Sequence, residues 1–262
     1  MEAFHEKRKN DIPILVSLAK DRFEFSAHWH NDLEIVYVID GYFEIGINNT
    51  LYMLSQGSLA VVNKNNIHYY SGKNCGKSVM LIIKRSILSE EMILSGEIAP
   101  YITADMLKEV GLSGKISDII ESLLSEENSL YKDTVARGLI LQLLGYLYRS
   151  FGGEKRSKKS EDDNMRFQKL LSYLNENPEI SLNEAADYIK YSVWHFSRIF
   201  QSYTGQKFSA YMNECRISKA EEMLKNTNKT VTETAFECGF NSVRNFNRVF
   251  KKMKGFTPKE IR

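Results

Sequence analysis

The sequence predicts an α+β chain of several domains: an N-terminal β-barrel, a central set of helices, and an all-α C-terminal domain built from two helix-turn-helix units. Three observations carry this prediction. Short runs rich in Val, Ile, Tyr and Phe, broken by turn residues, fill the first 85 residues. Apolar residues three and four apart then take over. Lastly, two stretches of the final hundred residues repeat each other at an offset of 50.

The barrel comes first. Between about Ile12 and Lys84, LEIVYVID, YFEIGIN, LAVVNKN and SVMLIIK read as strands, separated by Gly41, NNT, QGS and SGKNCGK. Many short strands joined by tight turns suit a barrel or sandwich. The helices follow in SDIIESLLSEE and DTVARGLILQLLGYLYRSF. The second carries Val135, Leu139, Leu141, Leu143, Leu144, Leu147 and Tyr148 around much of its circumference. A helix that apolar is either sandwiched in a core or shared with a second copy of the chain. GGEKRSKKSEDDN then contains no apolar residue and reads as a solvated linker. The expected divisions are a barrel over 1–85, a helical linking and dimerisation region over 86–151, a linker over 152–164 and the repeat domain over 165–262.

Bulk properties exclude several classes. Of 262 residues, 43% are hydrophobic and 26% charged, as in ordinary soluble globular proteins. No apolar run approaches the roughly 20 residues that span a bilayer. MEAFHEKRKNDIP lacks the apolar core of a signal peptide. Cys75, Cys215 and Cys238 form no CxxC pair, which argues for a reducing compartment; the expected location is the cytoplasm, with no membrane partner. The net charge of +2 hides a split: residues 165–262 hold 16 Lys and Arg against 10 Asp and Glu, so the remainder is net acidic. A basic third on an acidic chain is either a solvated face or the footprint of a polyanion such as nucleic acid.

The repeat decides between these. FSRIFQSYTG (196–205) and FNRVFKKMKG (246–255) share F-x-R-[IV]-F-x4-G, and SLNEAADYIKYS upstream parallels TVTETAFECGFN. Each unit reads as a short helix, a turn and a second helix. Phe196, Ile199, Phe200 and Tyr203, and likewise Phe246, Val249, Phe250 and Met253, fall on one face for burial. The opposite face carries Trp194, His195, Ser197 and Arg198 in the first unit, and Arg244, Asn247, Arg248 and Lys251 in the second. Arg chelates the guanine edge, Asn the adenine edge and Lys a phosphate. Ser192 and Ser242 are placed as N-caps, presenting backbone N–H groups to a phosphate. The amphipathic stretch FSAYMNECRISKAEEMLK between the units would be a rod of roughly 27 Å. Such a rod suits two readers set about one DNA turn, ~34 Å, apart.

The segment from Ser181 to Arg262 resembles the DNA-binding domain of AraC/XylS-type transcriptional regulators. The resemblance rests on S-x3-F-x-R-x-F-x4-G, the Arg216–Ala220 segment, the Ala-Phe-x2-Gly-Phe turn at Ala235–Phe240, and GFTPKEIR at the end. It implies that Trp194, Ser197 and Arg198 match base- and backbone-contacting positions of the first recognition helix, and Arg244, Asn247 and Arg248 those of the second. Thr234, where the family usually has Ile, and Ile261, where an aromatic is common, depart from its pattern.

The N-terminal region resembles a cupin barrel of the kind many such regulators use as a sensor. HWHNDLEIVYVIDG fits H-x-H-x3-E-x6-G, and GSLAVVNKNNIH resembles G-x5-P-x-G-x2-H with Asn63 and Asn65 in place of Pro and Gly. His28, His30 and Glu34 share one strand parity, and His68 would join them from another strand. Trp29, at the other parity, would pack outside the barrel or against the helices. The four polar residues fit three roles: mutual hydrogen bonding, the wall of a pocket for a small metabolite such as a sugar, or ligation of Fe, Mn, Ni or Zn. The leading expectation is a ligand-responsive regulator of double-stranded promoter DNA that requires no cofactor, works as a homodimer and meets RNA polymerase. The rival is a metal-dependent cupin enzyme with a DNA-binding appendage.

Overall fold

Residues 33–47 alternate between two apolar faces, and the strand they form organises the N-terminal half. In the computed structural model, which describes residues 13–125, 132–153 and 157–261, this strand is β3 (Leu33–Ile47). It pairs antiparallel along Leu33–Tyr42 with β7 (Cys75–Ile83) and along Glu34–Tyr37 with β5 (Leu59–Val62). Its second half pairs with β4 (Thr50–Ser55) and β6 (His68–Ser71). β1 (Ile14–Ala19) adds to β7, β2 (Glu24–His28) to β6, and β8 (Tyr101–Ile102) to β5. Gly41 does not end a strand as its position predicted. With φ of +78° beside a register shift, it bends one continuous strand, so the sheet curls without a break.

Strand alternation assigns the two faces. Val36 and Val38 point into the barrel with Phe43, Ile45, Leu54, Val62, Tyr70 and Met80. Leu33, Ile35 and Tyr37 point out with Leu59, Val61 and Leu81. That outer face is covered by α3 (Ser113–Ser125) through Ile116, Ile119, Ile120 and Leu123, and by α4 (Lys132–Phe151) through Ile140, Leu143, Leu144 and Leu147. Most of the apolar surface of α4 is therefore core within the chain; Val135 and Leu141 remain exposed. The sheet also continues past residue 85, because β8 lies between α1 (Glu90–Leu94) and α2 (Ala104–Glu109).

Within the expected linker, residues 158–164 are helical. Ser157 caps α5 (Lys158–Glu176) by accepting from the Ser160 N–H, Lys158, Lys159 and Glu161 are good helix formers, and Glu161 places an acid in the first turn. The remaining elements are α6 (Leu182–Tyr188), α7 (Val193–Thr204), α8 (Phe208–Asn226), α9 (Val231–Glu237) and α10 (Val243–Lys254). α8 is the rod. Phe208, Tyr211, Met212 and Cys215 enter the core of the first helical unit, and Ile217, Ala220 and Leu224 that of the second. Met253, expected on the buried stripe of α10, is exposed.

The first helical unit does not close its core alone. Ala27, Trp29, Ile67 and Tyr69 of the barrel pack with Phe167, Leu170, Phe196, Phe200 and Tyr203. Trp29 thus packs outside the barrel against helices, as its parity indicated. Among the described residues, no helix is long and apolar enough to cross a membrane.

Candidate functional site

The two units are capped alike. Ser181 and Thr230 close capping boxes with Glu184 and Glu233 at the starts of α6 and α9. Ser192 and Ser242 cap α7 and α10, accepting from the N–H groups of His195 and Asn245. The glycine of the repeated motif is the left-handed C-cap of α7, Gly205.

With Phe196, Phe200 and Tyr203 buried, α7 turns Trp194 and Arg198 outward; Trp194 is 71% exposed, and the Arg198 guanidinium lies 5.0 Å from its ring centre. His195 and Ser197 are half-buried. The His195 ring rests edge-on against Tyr191, and the Ser197 hydroxyl donates to the Val193 carbonyl at 2.8 Å. On α10, Arg244, Asn247, Arg248 and Lys251 are all exposed around a helix that buries Phe246, Val249 and Phe250. Arg248 donates to Asn245 Oδ1 at 2.9 Å, so Asn245 orients it. The sequence reading passed over Asn245; its i, i+3 spacing to Arg248 was the available signal.

The exposed faces of α7 and α10 differ in what lies beside them. α7 leans on the barrel, and Arg198, Gln201 and Ser202 line one wall of a cavity of about 490 Å³ whose other wall includes Ser26, Glu44 and Tyr69. Glu214 of α8 accepts from Ser26 at 2.7 Å and from Gln206 at 3.1 Å across the same seam.

Inside the barrel, His28, His30, Glu34 and His68 converge, all nearly inaccessible, with one donor atom from each within 4.8 Å of the others. That is the span of one coordination sphere rather than of a sugar ring. His30 Nε2 lies 2.9 Å and His68 Nε2 3.4 Å from one oxygen of Glu34, and the Tyr70 hydroxyl donates to the other. Tyr70 was absent from the sequence reading, although it stands two residues beyond His68 on the same strand face. Burial alone would raise the Glu34 carboxyl, but hydrogen bonds from His30 and His68 and their charge hold it well below the ordinary carboxylate range. Burial, reinforced by the neighbouring His68, pushes His28 well below the ordinary imidazole value.

The residues fit a divalent cation. Each imidazole turns Nδ1 to a backbone carbonyl two residues away: His28 to Ser26 at 3.0 Å, His30 to Asp32 at 3.1 Å and His68 to Asn66 at 3.0 Å. A carbonyl only accepts, so each Nδ1 carries a proton, which leaves Nε2 as the nitrogen that would ligate a metal ion. His68 Nε2 is fully buried, with the Glu34 oxygen at 3.4 Å, a long contact that leaves room for a further ligand partner. Three imidazoles and a carboxylate are a donor set for Zn, Fe, Mn or Ni.

Comparison with known proteins agrees with both halves. Residues 14–83 match the family described as cupin domain, and residues 185–262 the family described as helix-turn-helix domain. An HTH-type transcriptional activator, RhaS of Enterobacter sp. (strain 638), is 24% identical over 260 residues, covering 95% of this chain and 92% of its own. An HTH-type transcriptional regulator of Staphylococcus aureus (strain MSSA476) is 25% identical over 235 residues, and this chain spans 31% of its length. Among solved structures, ToxT from Vibrio cholerae O395 aligns over 94% of this chain and 95% of its own, with 15% identity and a TM-score of 0.36. The chain thus joins a region similar to cupin domains to one similar to helix-turn-helix domains, and its relatives are named as HTH-type transcriptional regulators and activators.

Proposed function

We propose that the protein is a ligand-responsive, sequence-specific DNA-binding regulator of transcription. The observation that carries this reading is the pair of capped recognition helices, α7 and α10, each with a buried aromatic face and an outward face of Arg, Asn, Lys or Trp, joined by the single rod α8. In this reading DNA binding itself requires no cofactor, and a metal ion in the barrel cluster is optional. The names of the relatives, all regulators or activators, favour this reading over a cupin enzyme.

In this reading Trp194, His195, Ser197 and Arg198 form one DNA contact set, and Arg244, Asn247, Arg248 and Lys251 the other. His28, His30, Glu34 and His68 form the sensing centre. The protein acts in the cytoplasm as a homodimer, with Val135 and Leu141 on the free face of α4 as the contact, and works through RNA polymerase. Occupancy of the sensing centre changes DNA affinity by favouring one arrangement of barrel and helical units over another.

The test uses DNA sites selected by the full-length protein from a random-sequence pool, with affinity measured at fixed salt. Arg198→Ala and Arg248→Ala should each weaken the selected site by about 1–3 kcal/mol and relax preference at separate base positions. Failure to select any sequence, or retention of full specificity in the double variant, would overturn the assignment.

A further inference from the structure

Two carboxylates stand at the seam between the barrel and α7, and only one of them is satisfied. Glu214 of α8, half-buried, accepts from Ser26 at 2.7 Å and from Gln206 at 3.1 Å. Glu44 of β3 is only 7% exposed, yet among the described residues its carboxylate accepts no hydrogen bond and joins no ion pair. A carboxylate taken out of water with neither donors nor a counter-charge is destabilising. Its complement is a cation from outside the chain.

Strand parity explains how Glu44 comes to be there. Phe43 and Ile45 enter the barrel interior, so Glu44 faces outward, toward α7. Its backbone is fixed by Asn74, whose Oδ1 accepts from the Glu44 N–H at 2.7 Å. Two residues further on, Gly46 pairs with Tyr69, whose ring lies against both Gly46 and Gly205. Among the described residues the Tyr69 hydroxyl makes no hydrogen bond; burial, reinforced by the Glu44 charge, pushes it above its ordinary value. Glu44 and Tyr69 both line the cavity under α7.

The rest of that cavity narrows the choice of ligand. Its volume of about 490 Å³ falls within the roughly 300–1,000 Å³ of small-molecule sites. Its walls are mostly neutral and polar, with Ser26, Asn49 and Ser71 from the barrel and Gln201 and Ser202 from α7. These side chains donate and accept, as hydroxyl groups of a ligand require. Lys73 and Arg198 are exposed members of the lining. Neither pairs with Glu44, and both repel a second positive charge on whatever does.

We infer that the cavity between the outer face of the barrel and α7 is a binding site for a hydroxylated monoamine of amino-sugar size, with Glu44 as the counter-ion of its ammonium group. The Tyr69 hydroxyl stands beside that group, and the serine and amide side chains take the ligand's hydroxyls. The site lies outside the barrel, apart from the cluster around Glu34, and does not rest on the regulator reading.

The experiment measures calorimetric binding to the full-length chain, with glucosamine as the probe. One glucosamine should bind per chain. Glucose and N-acetylglucosamine lack the ammonium group and leave Glu44 unpaired, so each should bind weaker by roughly thirtyfold or more. Putrescine, with two ammonium groups, should also bind more weakly than glucosamine. Glu44→Gln should lose glucosamine affinity to the same extent, yet unfold at a higher temperature without ligand, because a buried unpaired charge has gone. Ser202→Leu fills the cavity from α7 and removes only a hydrogen bond within that helix, to the Ile199 carbonyl; it should abolish binding. The comparison of the sugars needs no variant and stands even if Glu44→Gln fails to fold. Absence of one-per-chain binding by glucosamine overturns the site, and equal binding of N-acetylglucosamine overturns the role of Glu44. Tighter binding of putrescine overturns the ligand class. Full affinity in Ser202→Leu would place the ligand elsewhere and overturn the inference.

Discussion

Gly205, at the C-terminus of α7, lies against the ring of Tyr69 in β6: a Cβ at position 205 would fall 2.3 Å from a ring carbon. The other edge of that ring is as tightly bounded, since a Cβ at Gly46 would fall 2.0 Å from it. Tyr69 is thus a tongue between barrel and recognition helix, and Gly205 is where both the left-handed cap (φ +73°) and the close approach require glycine. Gly205→Ala should destabilise the protein by about 2–4 kcal/mol, combining left-handed backbone strain with overpacking. Thermal unfolding measures the sum. Tyr69→Ala in the same chain should relieve the steric share, and a purely additive double mutant would refute the contact.

Thr234 is fully buried in α9, and its hydroxyl has no hydrogen-bond partner. This is the position where the sequence departs from the family's usual Ile. Removing an unsatisfied hydroxyl at nearly constant shape should help, so Thr234→Val is expected to stabilise the second unit by about 1–3 kcal/mol. Denaturant unfolding would show a raised midpoint at unchanged slope; a lowered midpoint would mean that the hydroxyl has a partner after all.

The three thiols should separate by reactivity. Cys75 is exposed, whereas Cys215 and Cys238 are buried. Burial pushes the Cys238 thiol up from its ordinary value to about 11. At pH 8 one thiol per folded chain should react rapidly with an alkylating agent, and all three after denaturation. Because the folded value of Cys238 lies above the unfolded one, its contribution to stability is complete below about pH 8.5 and is lost as pH rises toward 11. Cys238→Ala should flatten that alkaline decline.

Much of the DNA-reading half was legible because its signals are local. N-caps at Ser192 and Ser242, the i, i+3, i+4 aromatic stripes and the glycine at the end of α7 each depend on residues within a turn or two. Met253 broke the pattern: its counterpart on α7, Tyr203, stacks on Phe167 of α5 at 4.0 Å, whereas Met253 at the end of α10 stays exposed. In the barrel, strand parity correctly grouped His28, His30 and Glu34 and sent Trp29 outward. The same parity held for Tyr70, but nothing local says which neighbour will reach Glu34 from 36 residues away. The charged start of α5 read as linker because charge without apolar periodicity suits a solvated helix and a solvated coil equally.

The sequence by itself determined the order of elements, the two recognition faces and the four polar residues that share the barrel's interior, since strand and helix periods assign faces without reference to distant residues. Only the tertiary structure decided that α4 spends most of its apolar surface inside its own chain, that His30 and His68 present their Nε2 atoms to one carboxylate, and that the first helical unit shares a core with the barrel. Those outcomes depend on which surfaces exclude water together, and that is settled by packing among segments far apart in the chain.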